Sequence, residues 1–172
     1  MIKPVQTLQC NVCTKFKNRG KPNGESCWVL FLQSLKKVLE TGVYLVKPNI
    51  GELAKLIGVE RLEQNEVAKA AKKLIENGSA EIVVVSLGAE GAMLVSKDTT
   101  EFVHAPKAEK KSTVGAGDSM VGGMVWALSQ NKSLKEVIQW GVACGSATTM
   151  NEGTQLFKLE DVERLFEQMQ KK

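Results

Sequence analysis

Four consecutive β-branched residues, Ile82-Val83-Val84-Val85, constrain the fold of this chain more than any other stretch. A strand that is apolar at every position leaves no face for water, so it needs packed layers on both sides. Upstream of it, Val67, Ala70, Ala71, Leu74 and Ile75 recur at helical spacing, and Gly78 stands where a helix C′ residue belongs. Before that helix, Val43-Tyr44-Leu45-Val46 reads as a short buried strand that Pro48 halts, followed by a helix over 52–57. Strand, helix and strand in this order argue for a parallel pair and an α/β fold. Further strands are expected over 92–96 and 101–104. Helices are expected over 116–130, over 134–149 behind a Ser133/Glu136 capping box, and over 159–169.

At 172 residues the chain suits one domain with a sizeable core. A net charge of +4 permits an anionic ligand without arguing for nucleic acid. The apolar runs are too short to span a bilayer, and no signal-peptide pattern opens the chain, so no membrane partner is expected. Cys10, Cys13, Cys27 and Cys144 are too few and too scattered for a disulfide framework, which places the chain in a reducing cytoplasm. Character changes near Ser34. Up to that point Lys3, Lys15, Lys17, Arg19 and Lys21 face the single acid Glu25, and no period emerges before Trp28-Val29-Leu30-Phe31-Leu32. Residues 1–34 are therefore expected to be a separate irregular segment, and 35–172 the folded region.

Thr113-Val114-Gly115-Ala116-Gly117-Asp118 puts small residues and an acid at a helix start. Backbone N–H groups bared there can hold an anion, and the acid can take a proton from an attacking hydroxyl. By itself the stretch is also an ordinary turn into a helix, with Asp118 favouring the helix dipole. It is not a dinucleotide fingerprint, because Met120 stands where a third glycine is needed, and no Gly-Lys-Ser/Thr makes it a P-loop. Lys47-Pro48-Asn49-Ile50-Gly51-Glu52 follows a strand end, where ligands of open α/β sheets gather. Asn49 and Glu52 suit a hydrated Mg²⁺ and its phosphates, and they equally suit a helix cap with a solvated acid. Ser86-Leu87-Gly88-Ala89-Glu90-Gly91 is a close-approach loop or simply a turn between strands. Cys10-Asn11-Val12-Cys13 lacks the further ligands a zinc site wants, with Cys27 nearby and His104 the sole histidine. Cys144 and Trp140 read as core.

In this order the motifs resemble the C-terminal part of ribokinase-type sugar kinases, the phosphofructokinase B family. The carriers are Lys47-Pro-Asn49-x-x-Glu52, Ser86-Leu-Gly88-x-x-Gly91, Ser112-Thr-Val-Gly115-Ala-Gly117-Asp118-Ser119 and Gly145-Ser146-Ala-Thr-Thr-Met-Asn151-x-Gly153-Thr154. Many members have Asp where this chain has Ser112. This version is most similar to the minor-isozyme type of bacterial 6-phosphofructokinase, with tagatose 6-phosphate and fructose 1-phosphate kinases close. The resemblance implies a partial, ribokinase-like three-layer α/β/α fold with a mostly parallel sheet and antiparallel edge strands. It also implies phosphoryl transfer from ATP to a sugar-phosphate hydroxyl in glycolysis. Asp118 would be the base, with Gly115, Ala116 and Gly117 offering N–H groups to the transferring group. Asn49 and Glu52 would organise Mg²⁺ and phosphate, with Lys47 at the edge of the nucleotide site. Ser86, Leu87, Gly88, Ala89, Glu90 and Gly91 would line ATP, with Lys110, Val142 and Ser146. Ser112, Val114, Thr148, Asn151, Gly153 and Gln155 would hold a monovalent cation, potassium, mostly through backbone oxygens.

Family members are roughly twice this domain's length. The sugar-contacting half is not recognisable here, and residues 1–34 do not resemble the family. The first strand is therefore expected to expose an edge and an apolar face that invite self-association, with Trp28–Leu32 covering part of it. Two further readings stand beside the kinase: a nucleotide-binding fragment without turnover, and a small zinc or redox module at the N-terminus.

Overall fold

The structure, a computed structural model, describes residues 39–171. The segment 1–34, the apolar run within it, Cys10, Cys13 and Cys27 lie outside the described residues.

Strand β1 (Val43–Val46) leads into helix α1 (Ile50–Ile57), and a short 3₁₀ turn precedes α2 (Val67–Glu76). Strands β2 (Ala80–Ser86), β3 (Gly91–Val95) and β4 (Thr100–His104) follow, then α3 (Ala116–Ser129), α4 (Leu134–Thr149) and α5 (Leu159–Gln170). Helix α1 starts earlier than the expected 52–57 because Asn49 caps it. The Asn49 side chain accepts from the Glu52 N–H at 2.8 Å, and the Glu52 carboxylate accepts from the Asn49 N–H at 2.9 Å. Helix α2 ends as expected: Gly78 adopts φ +71° and its N–H donates to Ile75 O at 2.9 Å.

The strand order is β1-β2-β3-β4. The β1–β2 pair is parallel, with Leu45 opposite Ile82, and the β2–β3 and β3–β4 pairs are antiparallel. The sheet is therefore mixed, and its parallel part is the strand–helix–strand unit. Strand β2 is covered on both faces. Val83 and Val85 join the core with Leu53, Val67, Ala71 and Leu74 of α1 and α2. Ile82 and Val84 join the opposite core with Met124, Ala127, Val137 and Ile138 of α3 and α4. This is the three-layer arrangement that an unbroken apolar strand demands. Only glycine fits at position 91, because a Cβ there would collide with the Val103 carbonyl of β4.

β1 ends the strand order as expected, but the exposed apolar face expected beside it is not found. Val43 and Val46 pack into the first core and Leu45 into the second, and all three are buried. Helices α3 and α4 approach closely through glycines. A Cβ on Gly123 would stand 2.7 Å from Cys144 Sγ, and one on Gly145 would stand 3.2 Å from the Ala116 carbonyl. Val162 and Leu165 of α5 pack on α4 against Ala143, Cys144 and Ala147. Trp140 stacks on Phe166 and meets Trp126 edge-on, each pair with ring centroids 4.5 Å apart. Among the described residues no helix is long and apolar enough to cross a membrane.

Candidate active site

The Lys-Pro-Asn and Ser-Leu-Gly segments meet where β1 and β2 end. The Ser86 N–H donates to the Pro48 carbonyl at 3.0 Å, and Asn49 pairs with Ser86 as an isolated parallel bridge. The capping box occupies one oxygen of Glu52 and the amide oxygen of Asn49. It leaves the other Glu52 oxygen and the Asn49 amide nitrogen without a partner among the described residues. Both readings of this motif therefore coexist: it caps α1 and still presents a carboxylate oxygen. No three or more His, Cys, Asp or Glu side chains cluster among the described residues. The single open Glu52 oxygen suits a cation that takes few carboxylates and keeps several waters.

The turn into α3 is strained in the direction glycine tolerates. Gly115 adopts φ +77°, and the helix begins at Ala116. Of the three N–H groups expected to serve an anion, that of Ala116 is spent locally, donating to Thr113 O at 3.3 Å. The N–H groups of Gly117 and Asp118 meet no acceptor among the described residues. Those two amides, at a helix N-terminus, are open to donate to an anion. Asp118 is exposed in the first helical turn.

Lys47 crosses from the end of β1 to this turn. Its Nζ lies 3.5 Å from where a Cβ on Gly117 would stand, so a side chain at position 117 would crowd the amine. Lys47 is half-buried, and the structure gives it no hydrogen bond or ion pair among the described residues. Burial pushes its pKa below the ordinary 10.5, and the nearby Glu52 and Asp118 carboxylates partly restore it. A desolvated cation, two carboxylates and two open amides thus converge. The sequence placed Lys47 at the edge of a nucleotide site, whereas the fold sets it against the Gly-Ala-Gly-Asp turn.

Residues Gly88–Glu90 form a 3₁₀ turn between β2 and β3. Gly88 and Ala89 are exposed, and the Glu90 carboxylate accepts from Gln64 Nε2 at 3.1 Å. The Leu87 and Val142 side chains belong to the two cores, so side-chain packing is their main role. Ser146 is half-buried with its carbonyl taken by Thr149 Oγ1, and Lys110 is exposed.

Of the residues expected around a monovalent cation, Ser112, Val114 and Gly153 are linked by hydrogen bonds. Ser112 Oγ donates to Gly153 O at 2.9 Å and accepts from the Val114 N–H at 3.2 Å. Thr148 Oγ1 and Asn151 Nδ2 turn back onto carbonyls of α4, at 2.9 and 3.1 Å, so backbone oxygens are the main donors left in this loop. Gln155 is exposed, its N–H donating to Glu152 O at 3.3 Å. Cys144 is a free, buried thiol pushed up to about 11 by desolvation. Sequence pattern assigns Ser119 no role of its own and leaves Leu156 unnoticed. The Ser119 hydroxyl is buried immediately after Asp118, without a partner among the described residues. Leu156 reaches within 3.5 Å of the Cβ position of Gly115, and no local pattern signals that approach.

Residues 10–161 match the model of the pfkB family of carbohydrate kinases. The ATP-dependent 6-phosphofructokinase isozyme 2 of Escherichia coli K12 is 43% identical over 135 residues, which cover 78% of this chain and 44% of that protein. The 1-phosphofructokinase of Bacillus subtilis is 38% identical over 127 residues, covering 73% of this chain and 42% of that one. The crystal structure of Escherichia coli phosphofructokinase-2 with substrates and products superposes with a TM-score of 0.77 at 40% identity, over 81% of this chain and 46% of that chain. The chain thus spans less than half the length of the curated relatives it matches. With the family model matching most of its length, the chain belongs to the pfkB family of carbohydrate kinases.

Proposed function

We propose that this chain carries the nucleotide-binding and phosphoryl-transfer part of an ATP-dependent sugar-phosphate kinase. Fructose 6-phosphate is the acceptor we favour, with tagatose 6-phosphate and fructose 1-phosphate as the alternatives. The observation that carries the reading is the convergence of Lys47, Glu52 and Asp118 on the amides that open α3. Asp118 accepts the proton of the acceptor hydroxyl as its oxygen bonds to the γ-phosphorus and the bond to the ADP oxygen breaks. The Gly117 and Asp118 N–H groups and the Lys47 ammonium stabilise charge on the transferring group, and such donors matter by ~10²–10³ in rate where charge develops. Glu52 would hold hydrated Mg²⁺, which neutralises phosphate charge when bound, and the open Asn49 amide nitrogen would donate to a phosphate oxygen. Ser86, Gly88, Ala89, Lys110 and Ser146 would border the nucleotide. Ser112, Val114, Thr148, Asn151, Gly153 and Gln155 would hold potassium. The cytoplasm, which supplies ATP and sugar phosphates, is the compartment this reading requires.

Coupled ADP-release assays on the three sugar phosphates test it, with turnover expected on one of them and abolished by Asp118→Asn. Retained turnover in that variant would remove Asp118 as the base. The alternative is nucleotide binding without turnover, since acceptor positioning supplies much of catalysis. Calorimetry that finds Mg-ATP binding in a chain with no turnover would select it.

A further inference from the structure

The run from Ala105 to Gly115, which carries the chain from β4 to the turn before Asp118, belongs to no helix or strand. Such a run takes its course from the bonds that tie it down. Near its end the Lys111 and Ser112 N–H groups both donate to the Thr149 carbonyl at the end of α4, at 2.8 and 3.1 Å. These two bonds share one acceptor, so they hold where the run passes α4 and leave its onward direction to the next contact. That contact is the Ser112 side chain. Its Oγ donates to Gly153 O at 2.9 Å, across 41 residues of sequence, and accepts from the Val114 N–H at 3.2 Å. One short, half-buried side chain therefore joins the loop after α4 to the backbone that enters the turn. Beyond it the chain reverses through Gly115 at φ +77°, and the open Gly117 and Asp118 amides follow in the first turn of α3.

The effect of an N–H group on a charged ligand depends on where its peptide plane points, and small misplacements at a reacting centre are costly. We propose that Ser112 is a positioning residue for phosphoryl transfer, its hydroxyl setting the direction in which the Gly117 and Asp118 amides meet the transferring group. The proposal rests on the kinase reading above. The hydroxyl is suited to this because it donates and accepts at once. Threonine retains both functions and valine has neither, so Ser112→Thr and Ser112→Val differ in that hydroxyl at nearly equal shape.

The test titrates the isotopically labelled wild-type chain and both variants with Mg-ATP in one potassium-containing buffer, with amide NMR as the readout. In the wild type the Gly117 and Asp118 amides are expected to shift on binding, together with those of Ser86 and Gly88. Ser112→Val is expected to bind about tenfold more weakly, the worth of one charge-assisted amide bond. At saturation its Ser86 and Gly88 amides should shift as in the wild type, while those of Gly117 and Asp118 barely move. Ser112→Thr should restore the affinity and all four shifts. A hydroxyl with a merely structural role would lower the melting temperature of Ser112→Val and leave its bound-state Gly117 and Asp118 shifts intact, and that result overturns the proposal. A Ser112→Thr chain that behaves like Ser112→Val also overturns it. Should Ser112→Val not fold, Ser112→Ala carries the same comparison. A wild type in which only Ser86 and Gly88 respond overturns the positioning role and leaves nucleotide binding standing. One in which none of the four responds refutes the kinase reading, and the role of Ser112 falls with it.

Discussion

Two neighbouring glycines of α3 face opposite environments, so the same substitution has opposite signs at the two positions. A Cβ on Gly122 would meet nothing within 4 Å. Gly122→Ala therefore gains the helix propensity of alanine, about 0.5–1 kcal/mol, and raises the melting temperature by about 2–3 °C in a domain of this size. Gly123→Ala gains the same propensity but places its Cβ 2.7 Å from Cys144 Sγ and 2.8 Å from the Trp140 carbonyl. Favourable carbon contacts lie at about 3.5–4.0 Å, so roughly 1 Å of overlap must be relieved. The carbonyl is backbone of α4, so the relief requires the two helices to separate rather than a side chain to turn. Overpacking of this kind costs about 1–3 kcal/mol, which exceeds the propensity gain. Thermal unfolding by circular dichroism should place Gly123→Ala about 5 °C below Gly122→Ala, and urea midpoints should keep that order. Because the first turn of α3 carries Asp118, Gly123→Ala should also weaken Mg-ATP binding. A Gly123→Ala chain as stable as Gly122→Ala would refute the close crossing of α3 and α4.

Asn49→Ala removes the cap of α1, and should lower stability by about 1 kcal/mol and weaken Mg-ATP binding in titration calorimetry. Burial holds the Lys47 ammonium below the ordinary 10.5, so its charge is lost earlier than that of an exposed lysine as pH rises. Mg-ATP affinity should fall at alkaline pH before 10.5, and Lys47→Arg, which keeps its charge, should flatten that fall. The Cys144 thiol is pushed from 9.0 to about 11 by burial, so the unfolded chain releases this proton first. Its contribution to stability is complete below pH 9 and is lost as pH climbs from 9 toward about 11, a decline that urea titrations should find smaller in Cys144→Ala.

Much of the fold was legible because its signals are local. The Ser133/Glu136 capping box forms as the spacing predicts, with the Ser133 side chain accepting from the Glu136 N–H. Gly78 terminates α2, and the unbroken apolar run of β2 is indeed covered on both faces. The motif residues Asn49, Glu52, Ser86 and Asp118 stand at strand ends and helix starts, as periodicity and punctuation placed them. The burial of β1 depends instead on distant partners. Val43, Leu45 and Val46 are buried rather than exposed, because β1 is pinned between both helical layers. The Ala116 amide is consumed by a turn bond to Thr113, which the sequence pattern does not distinguish from an open donor.

By itself, then, the sequence determined which residues can cap, turn, span a sheet and carry phosphate chemistry. These properties follow from backbone preference and from the period of apolar side chains, both set within a few residues. Only the tertiary structure brought Lys47 against Gly117, joined Ser112 to Gly153 and laid Leu156 beside Gly115. Those contacts arise from parallel pairing of β1 with β2 and from the glycine-mediated approach of α3 and α4. They depend on how whole layers pack, and no local spacing encodes that.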